Sequence, residues 1–465
     1  MIKSVICAVI CVVFLSPMGS TVMCAEEANT VVATINVGVN PSGIAVTPNN
    51  LFGYVANNNN SGILGADNVS VLNLTNNNLE TTINDISFNA PYTVTINASG
   101  TKAYVTNSGS TTVTIVDIAS NTVSSTITGF DGPSGLVISP DGTTAYVNNY
   151  GSAGGVGSGY GTTVRIVDLL SNTIIGTPIT VAQAPAAMAI TPDGAFLYVA
   201  CYVNGNPGTG VISVIQTNDN TVVDTISGFF GPFAISITPN GKHAYVTNFG
   251  SNNFSPVGTT VSVVDLQSNA ITATIDLGTQ PAGLAITPDG TLAYVSNYNT
   301  LYLGPDFSDL TAGQGTVNII DTRTNQVLSP TIDVGLSPDA IAIAPDGLYA
   351  YVSNYTSNTV SVIPIQTFQI AAQGCKTKNK FLTQTNLINR LTWVASGTLL
   401  PVSYAIYRNE ELTDLAGTVM ATQPLVFLDH NRTTQPTYTY YIVGTNAEGI
   451  SSIPIEVVIS QKCAH

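Results

Sequence analysis

The sequence has little charge and few of the side chains that catalytic sites ordinarily use. Only 8% of its 465 residues are charged, the formal net charge is −15, and no run of basic residues occurs. Because phosphate binding needs clustered Lys and Arg, we expect no nucleic-acid partner. The three histidines are widely separated, and no Ser-His-Asp set, His-rich metal motif or haem-attachment motif is present. Nothing in the sequence therefore supports catalysis.

The sequence also lacks a long apolar run beyond its first residues. Lys3 is followed by an apolar stretch and then by small residues up to Ala25, which is the layout of a secretory signal. We expect residues 1–25 to be a signal peptide cleaved near Ala25, and the chain to be secreted, periplasmic or at the cell surface. Lipid attachment at Cys24 is the alternative, which Met23 disfavours. No other segment is long enough to predict a membrane span.

Cysteine is scarce. Three of the six cysteines fall in the predicted signal peptide, which leaves Cys201, Cys375 and Cys463. Cys375 and Cys463 bracket the last part of the chain and are the expected disulfide pair in an oxidising compartment. Cys201 is then a single thiol, which we interpret as a buried, small apolar side chain rather than a nucleophile.

Glycine, asparagine, threonine and valine are plentiful, a mix that favours sheets and turns over helices. A short stretch similar to Ala-Tyr-Val-Thr-Asn recurs seven times, and its tyrosine always lies thirteen residues after a proline. The tyrosines are Tyr54, Tyr104, Tyr146, Tyr198, Tyr245, Tyr294 and Tyr351. This fixed spacing indicates a structural repeat.

Each repeat is interpreted as four strands, A to D. The proline begins an apolar strand A, a tight turn leads to strand B with the tyrosine, and an asparagine four residues after strand C precedes strand D. Units of this kind at periods of 42 to 57 residues predict an all-β fold, a seven-bladed β-propeller. The last repeat lacks strand D, and residues 29–35 are similar to the missing strand. We therefore expect an N-terminal strand to complete the seventh blade.

These repeats resemble those of the YVTN β-propeller family, which includes surface-layer and other exported bacterial and archaeal proteins. The resemblance covers residues 29–366. It implies the fold and not a particular activity, because propellers include both enzymes and binding proteins.

A second domain is expected at residues 375–465, after a linker at residues 367–374. Several short strand-like runs follow Cys375, with Trp393 in an early run and tyrosines crowded in a late one. This pattern resembles a fibronectin type III β-sandwich. In that resemblance Trp393 takes the place of the core tryptophan, and Tyr438 or Tyr440 that of the tyrosine-corner residue.

Candidate binding residues lie in the loops between strands B and C. These loops vary in length and share one face of the predicted propeller with the loops that join strand D to the next strand A; we call it the top face. Five aromatic residues directly follow the repeated stretch, and four lie further along the loops. The nine are Tyr150, Tyr202, Phe249, Tyr298 and Tyr355, and then Tyr160, Phe254, Tyr302 and Phe307. They form either a ring that stacks on a sugar or grips a peptide, or packing between neighbouring blades.

Five aspartates are expected on the same face. They are Asp85, Asp131, Asp276, Asp333 and Asp339, of which Asp339 is the one ionisable residue in the strand A segments. Calcium is the ion that such oxygen ligands suit, although aspartates of this kind also cap turns. No cofactor is otherwise predicted.

We therefore expect an exported, monomeric, non-enzymatic binding or adhesion protein whose top face contacts a glycan or a protein. A metal-assisted enzyme similar to propeller lactonases or lyases is the competing hypothesis. A structural component of the cell surface is the third.

Overall fold

The computed structural model describes most of the chain and divides it into two compact units, residues 29–364 and residues 365–465 with 1–28. The described residues are 11–14, 21–24, 29–59, 66–151, 160–203, 207–251, 257–302, 310–365, 368–380, 385–397, 403–409, 412–430, 437–445 and 455–459. Within these ranges the regular structure is β-sheet, and no helix there is long and apolar enough to cross a membrane.

The first strands of the chain are β1 (Cys11–Phe14) and β2 (Thr21–Cys24), which pair as an antiparallel hairpin. They lie within the span predicted as a signal peptide. The signal itself stays a prediction.

Residues 29–364 contain seven described four-stranded antiparallel sheets, numbered 1 to 7 along the chain. In the order A to D, their strands are β4 (Pro41–Val46), β5 (Phe52–Asn57), β6 (Asn68–Asn73) and β7 (Asn78–Asn84); β8 (Pro91–Ile96), β9 (Lys102–Asn107), β10 (Thr112–Asp117) and β11 (Thr122–Thr128); β12 (Pro133–Ile138), β13 (Thr144–Asn149), β14 (Thr163–Asp168) and β15 (Thr173–Thr180); β16 (Pro185–Ile190), β17 (Phe196–Cys201), β18 (Gly210–Gln216) and β19 (Thr221–Phe229); β20 (Pro232–Ile237), β21 (His243–Gly250), β22 (Val257–Asp265) and β23 (Ala270–Asp276); β24 (Pro281–Ile286), β25 (Leu292–Asn297), β28 (Thr316–Asp321) and β29 (Gln326–Asp333); and β30 (Pro338–Ile343), β31 (Tyr349–Asn354), β32 (Thr359–Pro364) and β3 (Ala33–Asn36). A short hairpin, β26 (Thr300–Tyr302) with β27 (Leu310–Ala312), lies between β25 and β28.

The sheets form a closed ring. Each strand A contacts strand A of the next sheet, and β30 of sheet 7 contacts β4 of sheet 1. The N-terminal strand β3 supplies strand D of sheet 7, with Ala33 opposite Val362 and Asn36 opposite Thr359. This arrangement is that of a β-propeller, in which the D strands form the outer edge and the A strands surround a central channel.

The repeated tyrosine joins each sheet to the next. It is buried in all seven sheets, and in five of them its hydroxyl donates to the asparagine before strand D of the following sheet. That asparagine has a positive φ in every sheet, between 51° and 58°, a conformation that asparagine tolerates better than most residues. The spacing seen in the sequence therefore reflects two requirements on one asparagine: the turn conformation and the inter-sheet bond.

The remaining polar positions of the repeat also have structural partners. We call the four residues from the tyrosine to the asparagine, as in Tyr245–Asn248, the tetrad. In sheet 5, the hydroxyl of Thr247 accepts from the backbone N–H of Ala234 at 2.9 Å and donates to the carbonyl of Ala282 in sheet 6 at 2.9 Å. The amide of Asn248 donates to Thr260 and Ser262 of its own strand C. The tetrad is thus an element of the scaffold.

The second unit contains two described sheets in residues 368–459. Their strands are β33 (Phe368–Lys380), β34 (Thr385–Gly397) and β37 (Val426–Asp429) in one, and β36 (Leu415–Met420), β35 (Ser403–Tyr407), β38 (Tyr438–Thr445) and β39 (Ile455–Ile459) in the other. Residues of both sheets share one apolar core, in which Trp393 packs edge-on against Tyr404 with ring centroids 5.3 Å apart. Tyr440 is buried and its hydroxyl donates to the carboxylate of Asp429 at 2.6 Å, whereas Tyr438 is partly buried.

The structure differs from the sequence interpretation at the start of this unit. Residues 367–374 were expected to be a linker, but β33 begins at Phe368 and pairs with β34 from Phe368–Gly397 to Lys380–Thr385. The repeat signal ends before β33, so its pairing with β34 could not be inferred from the repeat. The expected disulfide involves Cys463, which lies outside the described residues.

Candidate functional site

Each strand A contains a local irregularity just after the repeat proline. In all seven sheets the pairing of strands A and B shifts just after the repeat proline. Such bulges reorient side chains that would otherwise alternate regularly across a sheet. We call the residue directly after the proline the bulge position; it is Ser42, Tyr92, Ser134, Ala186, Phe233, Ala282 and Asp339 in sheets 1 to 7.

A cavity of about 230 Å³ lies where the strands A meet. All seven sheets line it with residues one to three positions after the proline, including Gly43, Tyr92, Gly135, Ala186, Phe233, Gly283 and Asp339. Most of its lining is small or apolar. Glycine is required at Gly283, because a Cβ there would lie 2.5 Å from the carbonyl oxygen of Asp339.

Two side chains in the lining of this cavity can ionise, Asp339 and Tyr92. Of the two, Asp339 is the one whose ordinary pKa lies below 7. Asp339 is 9% exposed, and burial raises the pKa of its carboxyl to about 7. Within the described residues no hydrogen bond or salt bridge to this carboxylate is formed. Its ionised form is therefore disfavoured by burial and is not stabilised by a protein cation.

Tyr92 lines the same cavity as the aspartate. Burial raises the pKa of Tyr92 well above its usual value, and the charge of Asp339 and the phenols of Tyr150, Tyr298 and Tyr355 raise it further. These four tyrosines and one carboxylate, which come from sheets 2, 3, 6 and 7, are thus close enough to interact electrostatically. The phenol of Tyr92 is held neutral.

The aromatic residues that follow the tetrads are held at the channel mouth by a repeated backbone bond. In all seven sheets the N–H after the tetrad donates to the carbonyl of the residue before the repeat proline. The accepting residue has a φ between 47° and 57° in every case. This bond fixes the position after the tetrad, here called the mouth position, close to the bulge position of the same sheet.

Three of the mouth-position aromatics form a continuous arc with Phe233. Phe233 stacks on Phe249 with centroids 5.1 Å apart, Phe249 meets Tyr298 at 5.9 Å, and Tyr298 meets Tyr355 at 6.4 Å. The arc therefore spans sheets 5, 6 and 7 and ends in the sheet that carries Asp339.

The other two mouth-position aromatics border a second cavity of about 220 Å³. Tyr150 and Tyr202 line it together with Tyr92 and Phe233, which also line the first cavity. Tyr202 is only 1% exposed, and its hydroxyl donates to the carbonyl of Gly250 in the next sheet. For Tyr202 the structure thus supplies a packing role between sheets.

The aromatics further along the loops are less fully described. Tyr160 is 37% exposed and meets Tyr150 edge-on, with centroids 5.6 Å apart. Phe254 and Phe307 lie outside the described residues, and for Tyr302 the backbone alone is described.

The predicted aspartates are not gathered into one site. Asp131, Asp276 and Asp333 are exposed, and the carboxylate of Asp85 accepts from the N–H of Ser87 at 2.8 Å, as a turn-capping residue does. In the described part of the chain, no three His, Cys, Asp or Glu residues are arranged to hold a metal ion. Asp339 is the member of the set that lines the channel.

Cys201 occupies the tetrad position that is asparagine in the other six sheets. It is fully buried, its thiol contacts the backbone of Val199 and the hydroxyl of Ser213, and burial raises the pKa of Cys201 to about 12. A thiol held in its protonated form is a poor nucleophile. His243 begins strand B at the far end from the mouth position.

Sequence reasoning missed Tyr92 and Phe233 as site residues. Both sit at the bulge position, within a segment interpreted as scaffold. Their signal was present, because the same position holds Ser or Ala in four of the seven repeats. A bulky aromatic side chain at this position is too large for the close contact between neighbouring A strands, and it lines the channel instead.

Comparisons with known proteins support the fold. No family model matches the chain, and no curated protein matches it. It is similar to the solved structure of Kuenenia stuttgartiensis hydrazine synthase, with a TM-score of 0.58 and 21% identity over 70% of this chain and 95% of that chain. A similarity at this level of identity concerns the fold alone. Together with the ring of four-stranded sheets, it establishes an all-β chain with a β-propeller fold.

Proposed function

We propose that the chain is an exported binding protein that takes a glycan or protein ligand at the channel mouth on the top face of a seven-bladed propeller of the YVTN type. The observation that carries this proposal is the arc of Phe233, Phe249, Tyr298 and Tyr355 beside an open cavity. Aromatic faces provide large contact areas at a small cost in conformational entropy.

The residues around the cavity favour binding over catalysis. Hydrolysis commonly uses a nucleophile with a base, or a metal-activated water. The lining supplies one carboxylate, Asp339, and neither of the described histidines, His243 and His430, lines it. The non-enzymatic role and the monomeric state are part of this proposal.

The second unit is proposed to be a fibronectin type III-like module that presents or spaces the propeller. Its strand order, with β33, β34 and β37 in one sheet and β36, β35, β38 and β39 in the other, supports this proposal, as does the buried Trp393. The apolar run before Ala25 supports export.

The test is a screen of the mature chain on glycan and peptide arrays. The affinity of variants for any ligand found is then measured. We expect a Tyr298→Ala, Tyr355→Ala double variant to lose at least about tenfold in affinity for any ligand found, because stacking contacts carry such interfaces. Tyr349→Ala is the matched control, since Tyr349 begins the strand that Tyr355 follows and lies at its opposite end.

Two results would contradict the proposal. One is a ligand whose affinity is the same in the double variant and in the control. The other is metal-dependent turnover of lactone or polysaccharide substrates by the mature chain, which would favour the lactonase- or lyase-like alternative. Ordered self-assembly without ligand binding would favour a structural role at the cell surface.

A further inference from the structure

We infer that the channel mouth takes an organic cation, a ligand with an ammonium group that is received by the carboxylate of Asp339 and the rings of Tyr92, Tyr298 and Tyr355. This inference rests on the proposed binding function and specifies the chemical class of its ligand.

The carboxylate of Asp339 is isolated from basic side chains in the cavity. Asp339 lines the cavity, and the strands on either side, β24 and β4, bring Ala282, Gly283, Ser42 and Gly43 to it and no basic residue. Buried carboxylates are normally paired or hydrogen-bonded, since an unpaired one is costly to ionise. A positively charged ligand supplies the partner that the described chain does not.

The surface around the carboxylate includes aromatic rings. Tyr92 lines the same cavity, and the phenols of Tyr150, Tyr298 and Tyr355 act electrostatically on it. The negative faces of aromatic rings attract ammonium groups, and quaternary ammonium ligands are typically bound in aromatic cages. A carboxylate in a cavity that Tyr92 and Phe233 also line combines both attractions.

Other charge classes fit less well. An anion would be repelled by Asp339 and by a chain with a formal net charge of −15. Calcium takes six to eight oxygen ligands, whereas Asp339 is the one carboxylate in the lining. A neutral ligand would gain the stacking contacts and leave the carboxylate without a counter-charge.

The experiment is calorimetric titration of the mature chain with choline, tetramethylammonium and butylamine, with 3,3-dimethylbutan-1-ol as the neutral counterpart of choline. At pH 8 we expect choline to bind at least about tenfold more tightly than the neutral alcohol. Stronger binding of butylamine than of choline would identify a primary amine, such as a lysine side chain, as the natural group; the reverse order would identify a quaternary ammonium.

Two variants separate the contribution of Asp339 from general effects of charge. Asp339→Asn keeps the size of the side chain and is expected to lower cation affinity at least about tenfold, with the neutral alcohol unaffected. Asp276→Asn removes an exposed carboxylate and is expected to leave the affinities for the cations and for the neutral alcohol unchanged.

The pH dependence of cation affinity can be measured on the unmodified chain and needs no variant. The other titratable side chain in the cavity lining is Tyr92, and the phenols of Tyr150, Tyr298 and Tyr355 interact electrostatically with it. Phenols ordinarily ionise near pH 10, about three units above the pKa of Asp339. Because the pKa of Asp339 is about 7, we expect cation affinity to fall about tenfold from pH 8 to pH 6.

The inference is overturned if the neutral alcohol binds as tightly as choline, if Asp339→Asn leaves cation affinity unchanged, or if none of the cations binds. These results are distinguishable from failure of the proposed function. In each case the proposed binding function would stand if a ligand from the arrays still required Tyr298 and Tyr355 for its affinity. It would also fail if the affinity of that ligand did not depend on either tyrosine.

Discussion

The hydroxyl of Tyr294 in sheet 6 donates to the side-chain oxygen of Asn29 at 3.0 Å, across 265 positions of sequence. In four other sheets the same bond joins a tetrad tyrosine to the asparagine before the next strand D, as from Tyr245 to Asn325 at 2.7 Å. Asn29 therefore occupies the place of that asparagine for sheet 7, and its φ of 58° agrees with those of its counterparts. The N-terminal segment is therefore held to sheet 6 by the contact used between internal sheets.

Loss of this bond is expected to destabilise the propeller. Tyr294 is fully buried, so Tyr294→Phe leaves Asn29 without its donor and lowers the free energy of unfolding by about 1–2 kcal/mol. Urea unfolding measures the change. Tyr351→Phe is the matched control: the side-chain oxygen of Asn77, the corresponding asparagine, has no partner in the described part of the chain. Equal losses in the two variants would contradict this account of closure.

Removal of the N-terminal strand is expected to have a larger effect. A chain that starts at residue 37 loses β3, including the buried Ile35, and exposes the edge of β32. Unpaired strand edges promote association between molecules. We expect a chain starting at residue 37 to unfold at a markedly lower temperature and to aggregate in size-exclusion chromatography, unlike a chain starting at residue 26. Similar melting of both chains would show that β3 is dispensable.

The hydroxyl of Thr247, the third residue of the tetrad in sheet 5, is expected to stabilise the folded chain. Thr247→Val keeps the shape of the side chain but leaves the N–H of Ala234 and the carbonyl of Ala282 without this partner. We expect a loss of about 1–3 kcal/mol in the free energy of unfolding. Thr225→Val, at an exposed position in a neighbouring strand D, is the control and is expected to change stability little. A loss in the control as large as that in Thr247→Val would point to a general effect of valine.

The carboxyl of Asp339 is expected to make stability depend on pH. In the folded chain it keeps its proton up to about pH 7, whereas an unfolded aspartate loses it near pH 4. Ionisation in the folded state therefore costs free energy that is absent below about pH 4 and complete above about pH 7.

Asp339→Asn removes that cost. We expect the variant to be more stable than the unmodified chain at pH 8, by up to about 4 kcal/mol, and to lose this advantage as the pH falls to 4. Urea unfolding at both values measures it, with Asp276→Asn as the exposed control. An advantage that does not change with pH would contradict the burial argument.

The scaffold could be predicted from the sequence because each of its interactions is repeated. A proline, a tyrosine and an asparagine at fixed distances predicted the strands, and the similarity of residues 29–35 to a strand D predicted the pairing of β3. The start of β33 could not be predicted in this way, because its pairing with β34 has no counterpart elsewhere in the chain.

The candidate site was only partly predictable, because it depends on what differs between repeats. The aromatics after the tetrads were visible from their common offset, and Asp339 from its charge. Tyr92 and Phe233 were missed, since a shift in strand pairing directs them into the channel and the sequence alone does not reveal that shift. The proximity of Tyr92 to Asp339 and to phenols from other sheets follows from the closure of the ring.

Titration of Asp339 is the decisive experiment for the proposed cation site. Carbon-13 NMR of the mature chain labelled at the aspartate carboxyls, with Asp339→Asn to assign the signal, reports the pKa of this group with and without tetramethylammonium. We predict a pKa of about 7 in the free chain and a lower pKa in the presence of the cation. A pKa near 4 in the free chain, or one that the cation leaves unchanged, would contradict the account.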